Sequence, residues 1–127
     1  MRCTRIVSDD DGGSYFDEID LTFTPVELAV GQDPFLTSLP WPAIDAMFVT
    51  VPDAEEAYFH EWHAAPDPRL VVCLSGESIQ QTTNGEERRF HAGDVFLTVD
   101  TTGRGHRSAN NGTTSYIIVR LAETPNV

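Results

Sequence analysis

The chain has 127 residues, 20 of them Asp or Glu against 8 Arg and no Lys, for a formal charge of -12. That length suits one domain with its own core. The acidic surplus argues against nucleic-acid binding, which needs a basic stripe, and the missing lysine excludes lysine Schiff bases and a P-loop.

Two cysteines do not make a disulfide framework. The N-terminal MRCTRIVSDDDGG lacks the apolar stretch of a secretion signal, and no apolar run reaches the length of a membrane span. The expectation is a cytoplasmic protein with reduced thiols and neither nucleic-acid nor membrane partners.

In chain order, Glu18 to Phe23 alternates Ile19, Leu21 and Phe23 with Asp20 and Thr22, the period of a half-buried strand. Pro25 to Pro42 reads as a loop wrapping the body, with at most one short turn. Met47 to Val51 and Ala57 to Trp62 read as strands, and Arg69 to Leu74 is an apolar strand closed by Gly76. Polar strands flank Asn84-Gly85, the favoured pair of a two-residue hairpin. Asp94 to Val99 and Ser115 to Leu121 complete the set. No segment has a helical period, so about eight short strands predict an all-β sandwich or small barrel.

Between the last two strands lies DTTGRGHRSANN, Asp100 to Asn111. Gly103 and Gly105 permit a tight turn with positive φ, and His106 then starts the next strand. If its face is the barrel interior, the turn delivers an imidazole to a pocket; otherwise His106 caps a barrel end. Asp100 can bond backbone N–H groups in the turn or orient His106.

GDVFLTVDTTGRGHRSAN resembles the second sequence block of the cupins, small jelly-roll barrels. Gly93, Gly103, His106 and Asn110 fit its places; the usual proline is Thr101, and the segment before the histidine is two residues longer than the shortest form. Residues 62 to 110 are similar to a compact single-domain subfamily with a Trp-His-x-Ala-Pro turn, a Ser-Gly, an NG or DG hairpin and Asp-Thr-Thr-Gly-x-Gly-His. The resemblance implies a cupin-type jelly-roll β-barrel with short N-terminal strands and little helix. Residues 1–127 would form a single domain, with a core barrel at about 43–122 and N-terminal strands and a wrapping loop at 1–42. It also implies a pocket inside the barrel and a homodimer. It implies no one activity, since cupins include oxygenases, isomerases, epimerases, lyases and plain binding proteins.

The usual cupin metal site is missing in its standard form. Counting back from Gly76 puts the glutamate place at Arg69, and the paired histidine places fall on Trp62 and Ala64 or on His63 and Ala65. The metal alternative is a set of His60, His63 and His106, since neutral imidazoles suit zinc, iron, copper or nickel; the cofactor stays open. An inward Arg69 would recognise a carboxylate, enolate or phenolate of a small molecule; at the strand start it would instead pair with Asp67. Alternation places Tyr58, His60 and Trp62 on one face. It places Ser78, Gln80 and Thr82 together on the face assigned to the pocket, unless the register slips by one. Val71 and Phe96 would add apolar walls, and Cys73 reads as a small core residue.

The expected function is a small cupin enzyme acting inside the barrel on a small anionic organic molecule by histidine acid–base chemistry, of isomerase, dehydratase, lyase or cyclase type. His106 and His60 would move protons, and Arg69, Trp62, Tyr58, Gln80, Ser78 and Thr82 would bind the substrate. The alternatives are a non-catalytic small-molecule-binding cupin and a metal-dependent cupin oxygenase with a non-standard ligand set.

Overall fold

The computed structural model describes residues 1–54 and 59–126. The strands are β1 (Arg2–Ser8), β2 (Ser14–Asp20), β3 (Thr24–Val26), β4 (Phe35–Thr37), β5 (Ala43–Val51), β6 (Arg69–Gln81), β7 (Glu87–Phe90), β8 (Val95–Thr98) and β9 (Arg107–Leu121). Among the described residues there is no helix, and so none long and apolar enough to cross a membrane. The fold is all-β, as expected.

One sheet runs β2-β1-β8-β6-β9-β5, with β7 also pairing β6; β3 and β4 pair only with each other. All its ladders are antiparallel except that of β1 on β8. β1 therefore extends the sheet beyond residues 43–122. The sequence reading missed β1 because its buried residues, Cys3 and Ile6, stand three apart and break the period of two.

Two pairs of expected short strands merge. RLVVCL and SIQQ join in β6, and the residues after His106 join SYIIVRL in β9. Register shifts between Cys73 and Ser75 and between Ser75 and Glu77 bend the β6–β9 ladder. One half of β6 thus pairs with β8 and the other with β7, so a single strand serves two walls of the barrel.

Alternation sorts the core. Val71 pairs with Phe96 on β8 and Ile118 on β9, all facing inward with Ile6, Phe16, Phe90 and Tyr116. Their neighbours Leu70, Leu97 and Val119 face outward and pack with Cys3, Leu121 and Trp41. Each buried side chain of this size contributes roughly 1.5–3 kcal/mol relative to exposure.

Three local expectations change. The segment read as a loop contains the β3–β4 hairpin. Of the strand expected at Ala57 to Trp62, Ala57 and Tyr58 lie outside the described residues, and residues 59–62 are not in a strand; His63 alone forms a bridge, with His106. The Asn84-Gly85 turn is not a two-residue hairpin. Gly85 N–H donates to Thr82 O, Thr82 N–H donates to Glu86 O, and only Gly85 has positive φ. The type I′ turn needs positive φ at both central residues, whereas this is a three-residue loop ending in a left-handed glycine. Asn84 instead uses its side-chain oxygen to accept from Thr82 Oγ1 and Glu86 N–H.

Candidate functional site

The bent β6–β9 ladder encloses a cavity of about 190 Å³. β5 contributes Val49 and Val51, β6 contributes Arg69, Val71 and Gln80, β8 contributes Phe96 and Thr98, and β9 contributes Ser108, Tyr116 and Ile118. His63, Ala65, Pro66 and His106 complete it. Among these described residues there is no Asp or Glu, although the chain carries a formal charge of -12.

The turn from Asp100 to His106 positions its histidine by contact as well as by sequence. Gly105 has a φ of +73°, and a Cβ there would overlap the His63 carbonyl oxygen and lie 2.5 Å from Ala64 Cα. Only glycine lets the two backbones approach. They then exchange two hydrogen bonds, His63 N–H to His106 O at 2.9 Å and His106 N–H to His63 O at 3.0 Å. Residues opposed this way project their side chains to the same side, and the two imidazole centroids stand 4.7 Å apart.

Both rings are held at Nδ1. His106 Nδ1 lies 2.6 Å from Asp100 Oδ2, with Asp100 fully buried and His106 5% exposed. His63 Nδ1 lies 3.0 Å from the Glu61 carbonyl oxygen. A carbonyl or carboxylate oxygen only accepts, so Nδ1–H donates in each pair and the neutral ring keeps its lone pair on Nε2. Asp100 Oδ1 has no partner among the described residues. The His106 bond is thus the carboxylate's side-chain partner there, and losing it would leave a buried charge uncompensated.

The opposite wall is a polar chain. Gln80 Nε2 donates to Ser78 Oγ at 2.8 Å, and Ser108 Oγ donates to Gln80 Oε1 at 2.7 Å. Ser78 also bonds the Tyr116 hydroxyl, yet burial is the larger influence and pushes that phenol above its ordinary pKa. Ser78 is wholly buried behind Gln80 and Tyr116 and does not line the cavity.

Arg69 lines the cavity and also pairs with Asp67, its Nε 2.7 Å from Asp67 Oδ1, with about a quarter of the side chain exposed. The two alternatives read from the sequence therefore coexist. Nε is the donor in the Asp67 pair, and the two terminal nitrogens of the fork make no hydrogen bond among the described residues. Asp67 also meets Arg120, which grips Asp45 with both its Nε and Nη2.

Other expected site residues lie elsewhere. His60 is exposed and borders a separate hollow with Asp53 and Asn110. The alternation that set it beside a pocket does not apply, because residues 59–62 form no strand. Trp62 faces outward for the same reason, with the Arg104 and Arg107 guanidinium groups 4.6 and 4.9 Å from its ring centroid. Thr82 is buried in the hairpin turn, where its hydroxyl bonds Asn84. Tyr58 lies outside the described residues. Conversely, the sequence reading passed over Tyr116, Thr98 and Ser108. Tyr116 was signalled by its alternation with Ile118 in SYIIVRL.

His60, His63 and His106 are not brought together as a ligand set. Among the described residues no three His, Cys, Asp or Glu side chains are placed to hold a metal ion. The cavity offers two imidazoles and, where a cupin carboxylate would stand, a guanidinium. This donor set does not fit the three-histidine, one-carboxylate metal site of the family that the sequence resembles.

No family model matches the chain, and no curated protein does. Similar solved structures include protein NMB1881 from Neisseria meningitidis, at 14% identity over 65% of this chain and 84% of that one, with a TM-score of 0.49. A putative ethanolamine utilization protein Q from Salmonella typhimurium LT2 has 16% identity over 98% of each chain and a TM-score of 0.45. Fe(II) HppE in complex with substrate has 21% identity over 59% of this chain and 44% of that one, with a TM-score of 0.40. At such identities the likeness extends to neither substrate nor site residues.

Proposed function

We propose that the chain is an enzyme that moves a proton on a small organic anion held in the cavity, the substrate carrying a carbonyl next to an acidic C–H bond. The observation that carries this reading is the buried Asp100–His106 pair on a cavity that also holds Arg69 and, among the described residues, no carboxylate. Asp100 holds Nδ1–H, so Nε2 is the basic atom. It would take the proton from the carbon beside the carbonyl, leaving the negative charge on the enolate oxygen. Arg69 would bind the anionic group or stabilise that oxygen with the donors its Asp67 pair leaves over. Gln80, Ser108 and the Tyr116 hydroxyl would orient the remaining polar atoms, and Val71 and Phe96 would hold the carbon skeleton. Return of the proton to a different carbon gives isomerisation; loss of a leaving group from the enolate gives elimination.

The test uses small keto and enol carboxylic acids in D2O, with deuterium uptake beside the carbonyl followed by NMR. His106→Asn keeps an N–H near the place of Nδ1 for Asp100 while removing the base. Binding should persist in that variant and exchange should fall by at least ~100-fold, the low end of what a positioned base contributes. Arg69→Met should weaken binding of the same acids. Binding without wild-type exchange would favour a non-catalytic binding protein, and exchange that survives in His106→Asn would remove His106 from the mechanism.

A further inference from the structure

A proton taken up by His106 has to leave it again. The ring is 5% exposed and Asp100 is sealed behind it, so the way out for a proton on Nε2 is the cavity itself, where the substrate sits. Isomerisation or elimination also needs a group that puts a proton at a second place, on another carbon or on the departing group. Among the described residues that line the cavity, Arg69 does not give up a proton. Gln80 is an amide, and Ser108 and Thr98 are aliphatic hydroxyls. Burial raises the Tyr116 phenol above its ordinary range, and no lining side chain is Asp or Glu. His63 is left, the lining residue besides His106 whose side-chain type trades protons with water near neutral pH.

The setting of His63 complements that of His106. Their reciprocal backbone bonds turn both rings to one side, with centroids 4.7 Å apart. His63 Nδ1–H is spent on the Glu61 carbonyl as His106 Nδ1–H is spent on Asp100, so Nε2 is the transfer atom in both. The two differ in what surrounds them. His63 is exposed where His106 is buried, and its Nδ1 partner is a neutral carbonyl where His106 has a carboxylate. One ring thus meets the substrate with a buried anion behind it, and the other joins the same cavity to solvent. The close approach at Gly105 is what sets them side by side.

We propose, resting on the acid–base reading of the cavity, that His63 is a second catalytic residue, the acid and proton outlet that works with His106 as base. His106 Nε2 takes the proton from the carbon beside the carbonyl; the C–H bond breaks and its electron pair passes to the enolate. His63, entering the cycle as imidazolium, gives its Nε2 proton to another carbon of the enolate or to the departing group. The proton on His106 then crosses to His63 Nε2 through one bridging water. In isomerisation and in elimination alike, the pair ends with the protons it started with. Because His63 is exposed, the hydrogen placed on the product comes from solvent.

The test follows deuterium uptake by small keto acids, pyruvate and 2-oxobutyrate among them, in D2O by NMR, with the buffer-only rate subtracted. Wild type, His106→Asn and His63→Asn are compared. Asparagine at 63 keeps an N–H for the Glu61 carbonyl and removes Nε2, and the backbone bonds to residue 106 do not involve the side chain; circular dichroism should stay unchanged. Uptake should fall by about 100-fold or more in His63→Asn, because the proton held on His106 goes back to the carbon it left. Imidazole added to the buffer should restore uptake in that variant in proportion to its concentration, as a mobile carrier at an exposed position, and leave the wild-type rate as it was. A merely structural role for His63 gives no such rescue. Uptake in His63→Asn equal to wild type would overturn the inference while leaving His106 as the base, and so would a loss that imidazole does not repair. A wild type that exchanges none of these acids would fail the acid–base reading itself, and the role of His63 with it.

Discussion

Gly105→Ala separates a clash from ordinary backbone strain. A side chain at a φ of +73° costs about 1–2 kcal/mol in the left-handed region. The added methyl would also overlap the His63 carbonyl and crowd Ala64. Backbone cannot give as a flexible side chain can, so the 63–65 segment must lift and lose the reciprocal His63–His106 bonds, about 1 kcal/mol each. The total is about 3–4 kcal/mol. Gly85→Ala supplies the control: its φ is +87°, and an added methyl meets nothing within 4 Å, so strain alone remains, about 1–2 kcal/mol. For a chain of this size each kcal/mol moves Tm by about 4 °C. Thermal and urea unfolding should therefore put Gly105→Ala about 12–16 °C below wild type and Gly85→Ala about 4–8 °C below. Equal shifts for the two variants would refute the close approach of the His63 and His106 backbones, and with it the placement of the two rings.

Three further outcomes follow from the same contacts. Ser78→Ala takes the Ser78 Oγ partner from the buried Gln80 Nε2 and from the Tyr116 hydroxyl, which should cost about 1–3 kcal/mol in urea unfolding; because Ser78 draws the Tyr116 pKa down, ultraviolet titration should show one tyrosine moving further up. Glu77 is held to a pKa of about 2, against 4.5, by His91, Asn111 and Arg89. Its contribution is thus complete above pH 4.5 and lost as pH falls through about 2, so the deficit of Glu77→Gln in urea midpoints should shrink across that window. Cys3 and Cys73 are buried, and burial pushes both thiols above their ordinary pKa; a thiol reagent should find neither in the native protein at pH 7.5 and both in denaturant.

What the sequence made legible followed from local periodicity. The alternation of Ile19 with Asp20, the apolar run at Leu70 to Cys73 and the turn glycines at 103 and 105 each dictate a backbone state within a few residues. His106 entering a cavity face could be read for that reason. The positions of His60 and Trp62 could not. They were placed by extending a strand through residues 57–62, yet a single bridge at His63 governs there, and Arg104 and Arg107 stack on Trp62 from outside. Thr82 shows the opposite limit. Its place in the alternation was sound, but its hydroxyl serves the Asn84 turn, a competition that composition does not reveal. The inward face of Tyr116 was legible from its alternation with Ile118, but its bond to Ser78 was not, because the β6–β9 ladder shifts register between Cys73 and Glu77.

The charge of the chain and that of its cavity point in opposite directions, and the arrangement of acids explains how both hold. Asp67 and Asp100 stand next to the cavity's two strongest polar groups, yet neither lines it. Asp67 lies at the head of β6 between Arg69 and Arg120, and Asp100 is sealed behind the His106 ring. Each carboxylate steadies a donor from behind without offering an oxygen to the interior. An entering anion therefore meets imidazole, guanidinium, hydroxyl and amide groups, and repulsion from the acidic exterior is screened over about 8 Å at physiological salt. A metal cation would meet the reverse: two imidazoles with a fixed positive charge in the same small space. Where the resemblance expects a glutamate, Arg69 places a fixed positive charge against the cavity, and under the proposed function this single position favours a bound anion over a bound cation.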